Sequence, residues 1–451
     1  MGAGEDVSRA EADDEADDGM ILAEAADVPA GPPAPGGSAR DALRYPVFRR
    51  VFFGAFLSQI GNWMQMVVLG ALAYDLTESS TFVGLMVFAQ LGPLLLLSMV
   101  GGVLADRVDR RRLLIGVTAT QLVLALVLAA IVAPDEPNKV ALLAVVFAIG
   151  VGQAIYGPTY AALLPQLVDR RDLAGAVSLN STQMNASRVI GPVIGAFLDS
   201  LIGAPAVFVG NALSFLFIIG ALLTVQLPPP VIDHHASRGL RVLGDGFRIA
   251  RRNVVVWRCL VTLFVFSLAS LPFVGQFPVL AERNLHIDER STGYGVLYAC
   301  FGIGAVAGSL SIGTVFSRRS MARIVRAALI AFAGALTFFA VLRSPGPAFP
   351  AAALVGATYF AMITSLATTL QEQLDNRVRG RVMALWIMGF GGTVPVGNLI
   401  AGPIIEATSM TTVMLAGAAC AVGLAFYARL EPQPEAPRLP ARAAAPACAG
   451  R

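Results

Sequence analysis

An all-α, polytopic membrane fold with twelve transmembrane helices is predicted by three observations. The 451 residues are 56% hydrophobic and only 14% charged, with a mean hydropathy of +0.68; a soluble domain carries about 25% charged residues. Apolar runs of roughly 18 or more residues recur along the chain, each long enough to cross the hydrocarbon core as a helix. The charges that remain gather in the intervals between those runs.

The runs place spans at 51–73, 82–105, 113–133, 140–162, 174–197, 203–226, 254–277, 293–315, 325–343, 348–370, 380–403 and 411–428. The ninth and tenth are separated only by "RSPGPAFP". Arginines cluster before span 1 (Arg44, Arg49, Arg50), between spans 2 and 3, between 4 and 5 (Arg170, Arg171), and between 6 and 7 (Arg238, Arg241, Arg248, Arg251, Arg252). They recur between 8 and 9 (Arg318, Arg319, Arg323, Arg326) and between 10 and 11 (Arg377, Arg379, Arg381). The alternate loops hold only Lys139, Arg283, Arg290 and Arg343. Basic residues mark cytoplasmic loops, so both termini are expected in the cytoplasm and the protein in the cytoplasmic membrane.

The net charge of +3 hides a split. Residues 1–40 carry ten acids and two arginines, which leaves the remainder at +11. A strongly acidic, Pro- and Gly-rich tail cannot bury a core, so 1–44 and 429–451 are expected to be disordered cytoplasmic tails. A basic cytoplasmic face suits anionic lipid, and no nucleic-acid partner is called for. Cys259, Cys300, Cys420 and Cys448 show no metal-ligand spacing, and no cofactor is expected.

The chain also repeats itself. An offset of 211 residues pairs Gly84 with Gly295, Gly102 with Gly313, Arg107 with Arg318 and Gly191-Pro192 with Gly402-Pro403. Two six-helix pseudo-repeats follow, 45–226 and 254–428, related by an axis along the membrane normal. The linker 227–253 mixes apolar and basic residues at helical spacing ("RGLRVLGDGFRIARRNVVVW"), as an amphipathic helix on the inner membrane surface would.

The densest charge is "GVLADRVDRRRL", with Asp106, Arg107, Asp109, Arg110, Arg111 and Arg112 between two apolar runs. It resembles the signature loop of the major facilitator superfamily, Gly-x-Leu-Ala-Asp-Arg-x-Gly-Arg-Arg/Lys. Gly102, Leu104, Ala105, Asp106, Arg107, Arg110 and Arg111 match, and Asp109 replaces a glycine. The resemblance covers residues 45–428. "PTYAALLPQLVDRRDLAGAVSLNSTQMNASRVIGPVIGAFL", "YGVLYACFGIGAVAGSL" and "RVRGRVMAL" resemble the enterobactin-exporter and macrolide-efflux branch, also described as transmembrane secretion effectors. The resemblance implies a conformational latch, in which Asp106 docks on the start of span 11 near Gly380 and Arg381, across the boundary between halves. Gly102 would then permit close helix approach. A carboxylate at a helix C-terminus gains from exactly such a neighbour, a helix N-terminus or a cation.

Polar residues inside spans usually face a cavity or another helix. Span 1 sets Gly54, Ser58, Asn62 and Gln65 at spacings of 4, 4 and 3, and span 4 groups Gln153, Tyr156 and Tyr160. The resemblance implies that spans 1, 4, 7 and 10 line a central cavity, with Gln276 and Tyr359 contributed by 7 and 10. Span 5 aligns Ser181, Asn185, Arg188, Pro192 and Gly195. Arg188 lies near mid-span, where a cation costs about 2.5–3.5 kcal/mol even on an insertion scale. Asp199 is 11 residues away, about 16 Å along a helix and too far for a direct pair. Carbonyls, a partner on another span, water or an anionic ligand remain open to it. Gly191, Pro192 and Gly195 match part of an antiporter motif, although Ser187 and Ala196 replace its glycines. Gly150 stands where drug:proton antiporters carry an arginine, and no carboxylate lies plainly at mid-membrane.

The resemblance implies a secondary active transporter, not an enzyme, working as a monomer. It would export an amphipathic organic molecule (a drug, antibiotic, siderophore or other secreted metabolite) by alternating access, with proton antiport. Solute uptake by the same fold is the alternative; a transporter-like sensor or a pump subunit is more remote. The only lysine is Lys139, so no phosphate-binding Gly-Lys-Ser/Thr loop exists in the chain.

Overall fold

The computed structural model describes residues 38–225, 239–316, 319–374 and 376–430, and they are helical almost throughout. The N-terminal half holds α1 (Ala39–Ala42), α2 (Pro46–Asp75), α3 (Ser80–Arg107), α4 (Arg110–Val132), α5 (Lys139–Leu163), α6 (Leu173–Ile202) and α7 (Ala204–Thr224). The C-terminal half holds α8 (Gly239–Arg252), α9 (Val254–Ala269), α10 (Pro272–Gly275), α11 (Phe277–Leu285), α12 (Thr292–Gly313), α13 (Met321–Val341), α14 (Pro345–Glu372), α15 (Asn376–Ala407) and α16 (Met410–Tyr427). Among the described residues, ten stretches are long and apolar enough to cross a membrane, making this a multi-pass membrane protein. Two further long helices stand beside these: α3, apolar over Ser80–Leu95, and α6, which falls short on composition because it carries Asn180, Gln183, Asn185 and Arg188.

Helix starts follow the local chemistry. Side chains of Ser79, Asp109, Asn138, Asn253, Ser291 and Ser409 accept hydrogen bonds from free N–H groups in the first turns of α3, α4, α5, α9, α12 and α16. Pro46 and Pro345 open α2 and α14, where a missing N–H costs nothing. The short "RSPGPAFP" interval thus resolves into a break of three residues, 342–344, before Pro345. Gly203, at φ +83°, is the single residue between α6 and α7; that backbone conformation is open to glycine.

Three expectations are corrected. Span 7 is not one continuous helix ending at 277. It stops at Ala269, because Pro272 lacks an N–H and disfavours helical geometry at the residue before it, and it resumes through α10 and α11 to Leu285. The packed chain begins at Ser38 rather than at 45: Ser38 and Asp41 form a reciprocal capping box, Ala42 is fully buried, and the Ser38 carbonyl abuts Gly175 of α6. The close approach expected at Gly102 falls one residue earlier. A methyl group on Gly101 would stand 2.6 Å from the Ala154 carbonyl oxygen of α5, while one on Gly102 would meet nothing within 4 Å. The remaining tail residues, 1–37 and 431–451, lie outside the described residues, as do 226–238 of the linker.

Lipid tails are as apolar as the side chains, so helices in a membrane associate through close packing and hydrogen bonds. In the N-terminal half α2 packs on α6 and α7, α3 on α5, and α4 on α5 and α7; in the C-terminal half α9 packs on α15 and α16, α12 on α14, and α13 on α14 and α16. The same five pairings therefore recur. In the second set, Gly304 and Gly308 lie against the carbonyls of Ala353 and Ala357, too close for any side chain. An aromatic cluster of Phe266, Phe273, Phe277, Phe301, Phe332 and Tyr359 fills the core of that half. The halves meet chiefly through α3 against α15 and α6 against α12.

Candidate transport cavity and its closure

A cavity of about 760 Å³ lies where the halves meet. From the N-terminal half it is lined by α2 (Gln59, Asn62, Trp63, Gln65), α3 (Gln90, Leu94), α5 (Gln153, Tyr156, Tyr160) and α6 (Val177, Asn180, Gln183, Met184, Arg188). From the other half come Leu271 and Val274, Tyr298 and Phe301 of α12, Tyr359 and Phe360 of α14, and Phe390 and Val394 of α15. Helices α4, α7, α13 and α16 contribute nothing to the wall. Arg188 is the one charged residue among the described lining residues.

The sequence-predicted residues divide. Asn62, Gln65, Gln153, Tyr156, Tyr359 and Arg188 reach the cavity; Ser58, Gln276 and Asn185 do not. Ser58 is buried, and the Gln65 side chain, while touching the cavity, accepts a hydrogen bond from Asn211 Nδ2 of α7 at 2.8 Å. The face of α2 that lines the cavity is turned by one residue from the predicted stripe, so Gln59 takes the place assigned to Ser58. Gln59 in turn accepts a bond from Asn62 Nδ2 at 2.9 Å. On α6 the face runs through Val177, Asn180, Met184 and Arg188, and Ser181 is exposed elsewhere. Gly191 and Gly195 press on α2, where added methyl groups would stand 2.8 Å from the Ile60 carbonyl oxygen and 2.9 Å from Met64 Cα. Gln59, Gln90, Asn180 and Gln183 escaped the sequence reading, although amides inside apolar runs were the available signal.

The hairpin of charged residues has its own geometry. Asp109, in place of the family's glycine, caps α4 by accepting from Arg112 N at 2.8 Å. Arg110 Nη1 donates to the Ala162 carbonyl at 3.1 Å; Arg111 donates through Nε to Leu222 O at 2.6 Å and through Nη2 to Leu223 O at 2.8 Å. Both arginines thus satisfy carbonyls near the C-terminal ends of α5 and α7, where cations are favoured. Arg107 is exposed and Leu104 half-buried. Arg381 is exposed too, and its carbonyl oxygen would stand 2.6 Å from a methyl on Gly246 of α8, which seats the amphipathic helix on α15. The Asp106 side chain, the centre of the expected latch, lies outside the described residues.

The opposite end, around Asp75, is closed across the halves. Arg290 bridges Asp75 at 3.0 Å and Asp199 at 3.2 Å, the latter carboxylate only 2% exposed. Arg283 donates to Tyr74 Oη at 2.8 Å and to the Glu78 carbonyl at 2.7 Å. Glu406 accepts from Ser79 Oγ and from Thr81 N, and Ser80 Oγ donates to Gly402 O at 2.8 Å. Gln276 belongs here and not to the cavity: its Nε2 donates to Ser80 O at 3.0 Å, beside the break in span 7. In the connection after α11, burial foremost and a hydrogen bond with Glu282 push the Glu289 carboxyl up to about 7. None of these closing residues is among the described lining residues, whereas Tyr160, Leu164 and Val177, around the end of α5 and the start of α6, extend the cavity toward the Arg107 end.

These features have known counterparts. The profile of the transmembrane secretion effector family matches residues 37–445. The staphyloferrin A transporter of Staphylococcus aureus is 25% identical over 354 residues, spanning 77% of this chain and 87% of that one. The enterobactin exporter EntS of Escherichia coli O1:K1 is 28% identical over 348 residues, spanning 76% and 81%. Among solved structures, a bacterial homologue of the human lysosomal transporter Spinster, in an inward-facing and occupied conformation, superposes with a TM-score of 0.67 at 14% identity, covering 85% of this chain and 96% of that one. Motif, fold and profile agree, and the chain belongs to the transmembrane secretion effector family of major facilitator transporters.

Proposed function

We propose that this protein exports an organic molecule across the cytoplasmic membrane by alternating access of two six-helix halves. In this reading twelve helices cross the membrane, both termini are cytoplasmic, and the Arg107 end faces the cytoplasm. The observation that carries it is the pairing of one cavity between the halves with a closure at the Asp75 end, built from ion pairs that join those halves. Such contacts can break and re-form while each half stays intact, which alternating access requires. The structure then corresponds to the inward-facing member of the cycle. The recurrence of five helix pairings supports the repeat. Export, rather than uptake, is supported by the relative named as the enterobactin exporter EntS; the name of the staphyloferrin A transporter supports transport in either direction.

The latch reading is retained: Asp106, Arg107, Arg110, Arg111 and Arg381 would meet across the halves when the cytoplasmic end closes. Proton antiport receives little support from the cavity, since no Asp, Glu or His is found among its described lining residues. The test is efflux from preloaded cells and from proteoliposomes, with the pH gradient and the membrane potential imposed separately. Accumulation inside the cells would reverse the direction, and movement in neither sense for a broad cargo panel would end the transporter reading.

A further inference from the structure

The guanidinium of Arg188 is held in place and left chemically unfinished. Its Cζ lies 5.4 Å from the ring centroid of Trp63 on α2 and 5.2 Å from that of Phe360 on α14, so one ring from each half flanks it. Among the described residues no side chain or carbonyl accepts from it, and its Nε is buried without a partner. The cavity that it faces contains no acid among the described lining residues. A cation away from water is costly unless paired, and two cation–π contacts do not replace a counter-ion.

The two walls of the cavity differ. The N-terminal half supplies the amides Gln59, Asn62, Gln90, Gln153, Asn180 and Gln183 together with Arg188. The C-terminal half supplies Tyr298, Phe301, Tyr359, Phe360 and Phe390, with neither an amide nor a charge among its described lining residues. A planar guanidinium with five donors matches a carboxylate through two parallel hydrogen bonds. Aromatic walls beside it favour a flat apolar body attached to that carboxylate. At about 760 Å³ the cavity is far larger than an inorganic anion needs and falls in the range of sites for small organic ligands.

Resting on the transporter reading above, we infer that the cargo is an organic anion whose carboxylate, or an equivalent planar acidic group, pairs with Arg188 while an aromatic or similarly flat portion lies against the C-terminal wall. Arg188 is then the specificity-determining residue of the cavity. Because Trp63 and Phe360 belong to different halves, the bound anion sits at the seam that must shift during transport.

The experiment uses the purified full-length protein in lipid nanodiscs and three probes of one shape: 1-naphthoate, neutral 1-naphthamide and cationic 1-naphthylmethylammonium, with sodium sulfate as an inorganic control. Isothermal titration on the wild type should show naphthoate bound at least about tenfold more tightly than the amide, as expected for a hydrogen-bonded charge pair. Arg188→Gln should abolish that preference while keeping the amide affinity, and Arg188→Lys should retain a reduced preference. Without ligand, Arg188→Gln should melt no lower than the wild type, since an unpaired cation has been removed. The inference is overturned by equal affinities, by a preference for the cation, by a preference that survives Arg188→Gln, or by sulfate competing as well as naphthoate. Loss of folded protein in Arg188→Gln overturns it too, because Arg188 would then be a structural tie, as does absence of naphthoate binding to the wild type. Proteoliposome efflux separates this from the reading beneath it. An anion preference without naphthoate movement would sink transport and leave the anion seat standing. Efflux of naphthoate at equal rates through wild type and Arg188→Gln would sink the anion seat and leave transport standing.

Discussion

The two ends of the helix bundle use arginine in opposite ways. At the Arg107 end arginines are abundant, and Arg110 and Arg111 donate to carbonyls of α5 and α7 of their own half. At the Asp75 end they are scarce, yet Arg283 and Arg290 each reach from the C-terminal half to the N-terminal half. In the orientation proposed above, the number of charges follows the side of the membrane, and the partners they choose mark an end where the halves are tied together. Contacts within a half persist through a rocking cycle, whereas those between halves exist in only one of its states. In the proposed cycle the Asp75 end holds contacts that set the state, while the bonds of Arg110 and Arg111 tie α5 and α7 within the N-terminal bundle.

Removing the bridge should give the largest effect. Arg290→Ala leaves the buried Asp199 carboxylate without its cation, and we expect the closed state to lose about 2 kcal/mol, a shift in the state ratio of roughly 30-fold. With a reporter introduced as Asn62→Cys, maleimide labelling from outside the cell should accelerate accordingly. An unchanged rate would mean that the ion pairs do not hold this end shut.

A smaller shift of opposite sense is expected from the other end. If Asp106 docks on α15 when the cytoplasmic end closes, Asp106→Asn disfavours that closed state by about 1.4 kcal/mol, a tenfold change in the ratio. The variant should reach the membrane in normal amount and bind cargo, but turn over slowly. Wild-type turnover would remove the latch and leave the arginines of the hairpin with topology and their bonds to α5 and α7.

The smallest effect is a dependence on pH confined to the Asp75 end. Glu289, pushed up to about 7 chiefly by burial and secondarily by Glu282, is protonated in the closed state at mildly acid pH. Opening would expose it to water, where an ordinary glutamate ionises. The closed state is accordingly favoured most below the ordinary glutamate range and loses that advantage as pH rises through about 7, where Glu289 ionises beside Glu282, Asp288 and Tyr74 with Arg283 and Arg290 as the nearby cations. Outside labelling of the same cysteine should rise from pH 5 to 8, and Glu289→Gln should flatten the curve. A profile that keeps its slope in that variant would assign the titration elsewhere.

How much of this was legible depended on the kind of information involved. The helix from Lys139 and the helix from Val254 were written locally, in Asn138, Asn253 and the apolar runs after them. The charged hairpin announced both its family and its place between two helices, and Asp109, out of pattern as a family residue, is in pattern as a cap. The amphipathic helix over 239–252 followed from the spacing of Arg248, Arg251 and Arg252 among apolar residues.

The choice among faces was not local. Each residue turns the helix by about 100°, so a stripe misplaced by a single position exchanges Gln59 for Ser58 or Asn180 for Ser181. An amide in a membrane helix is satisfied equally by a cavity or by a neighbour, as Gln65 and its bond from Asn211 illustrate. The sequence by itself determined where most helices begin, that the chain crosses a membrane many times, and that Arg188 needed an answer; these depend on hydropathy and on groups a few residues apart. Tertiary structure alone decided which faces meet, which end is shut, and that Arg188 stands between two rings with no acid among the described lining residues. Those depend on partners brought together from distant parts of the chain, and no local pattern encodes whether such a partner will be present.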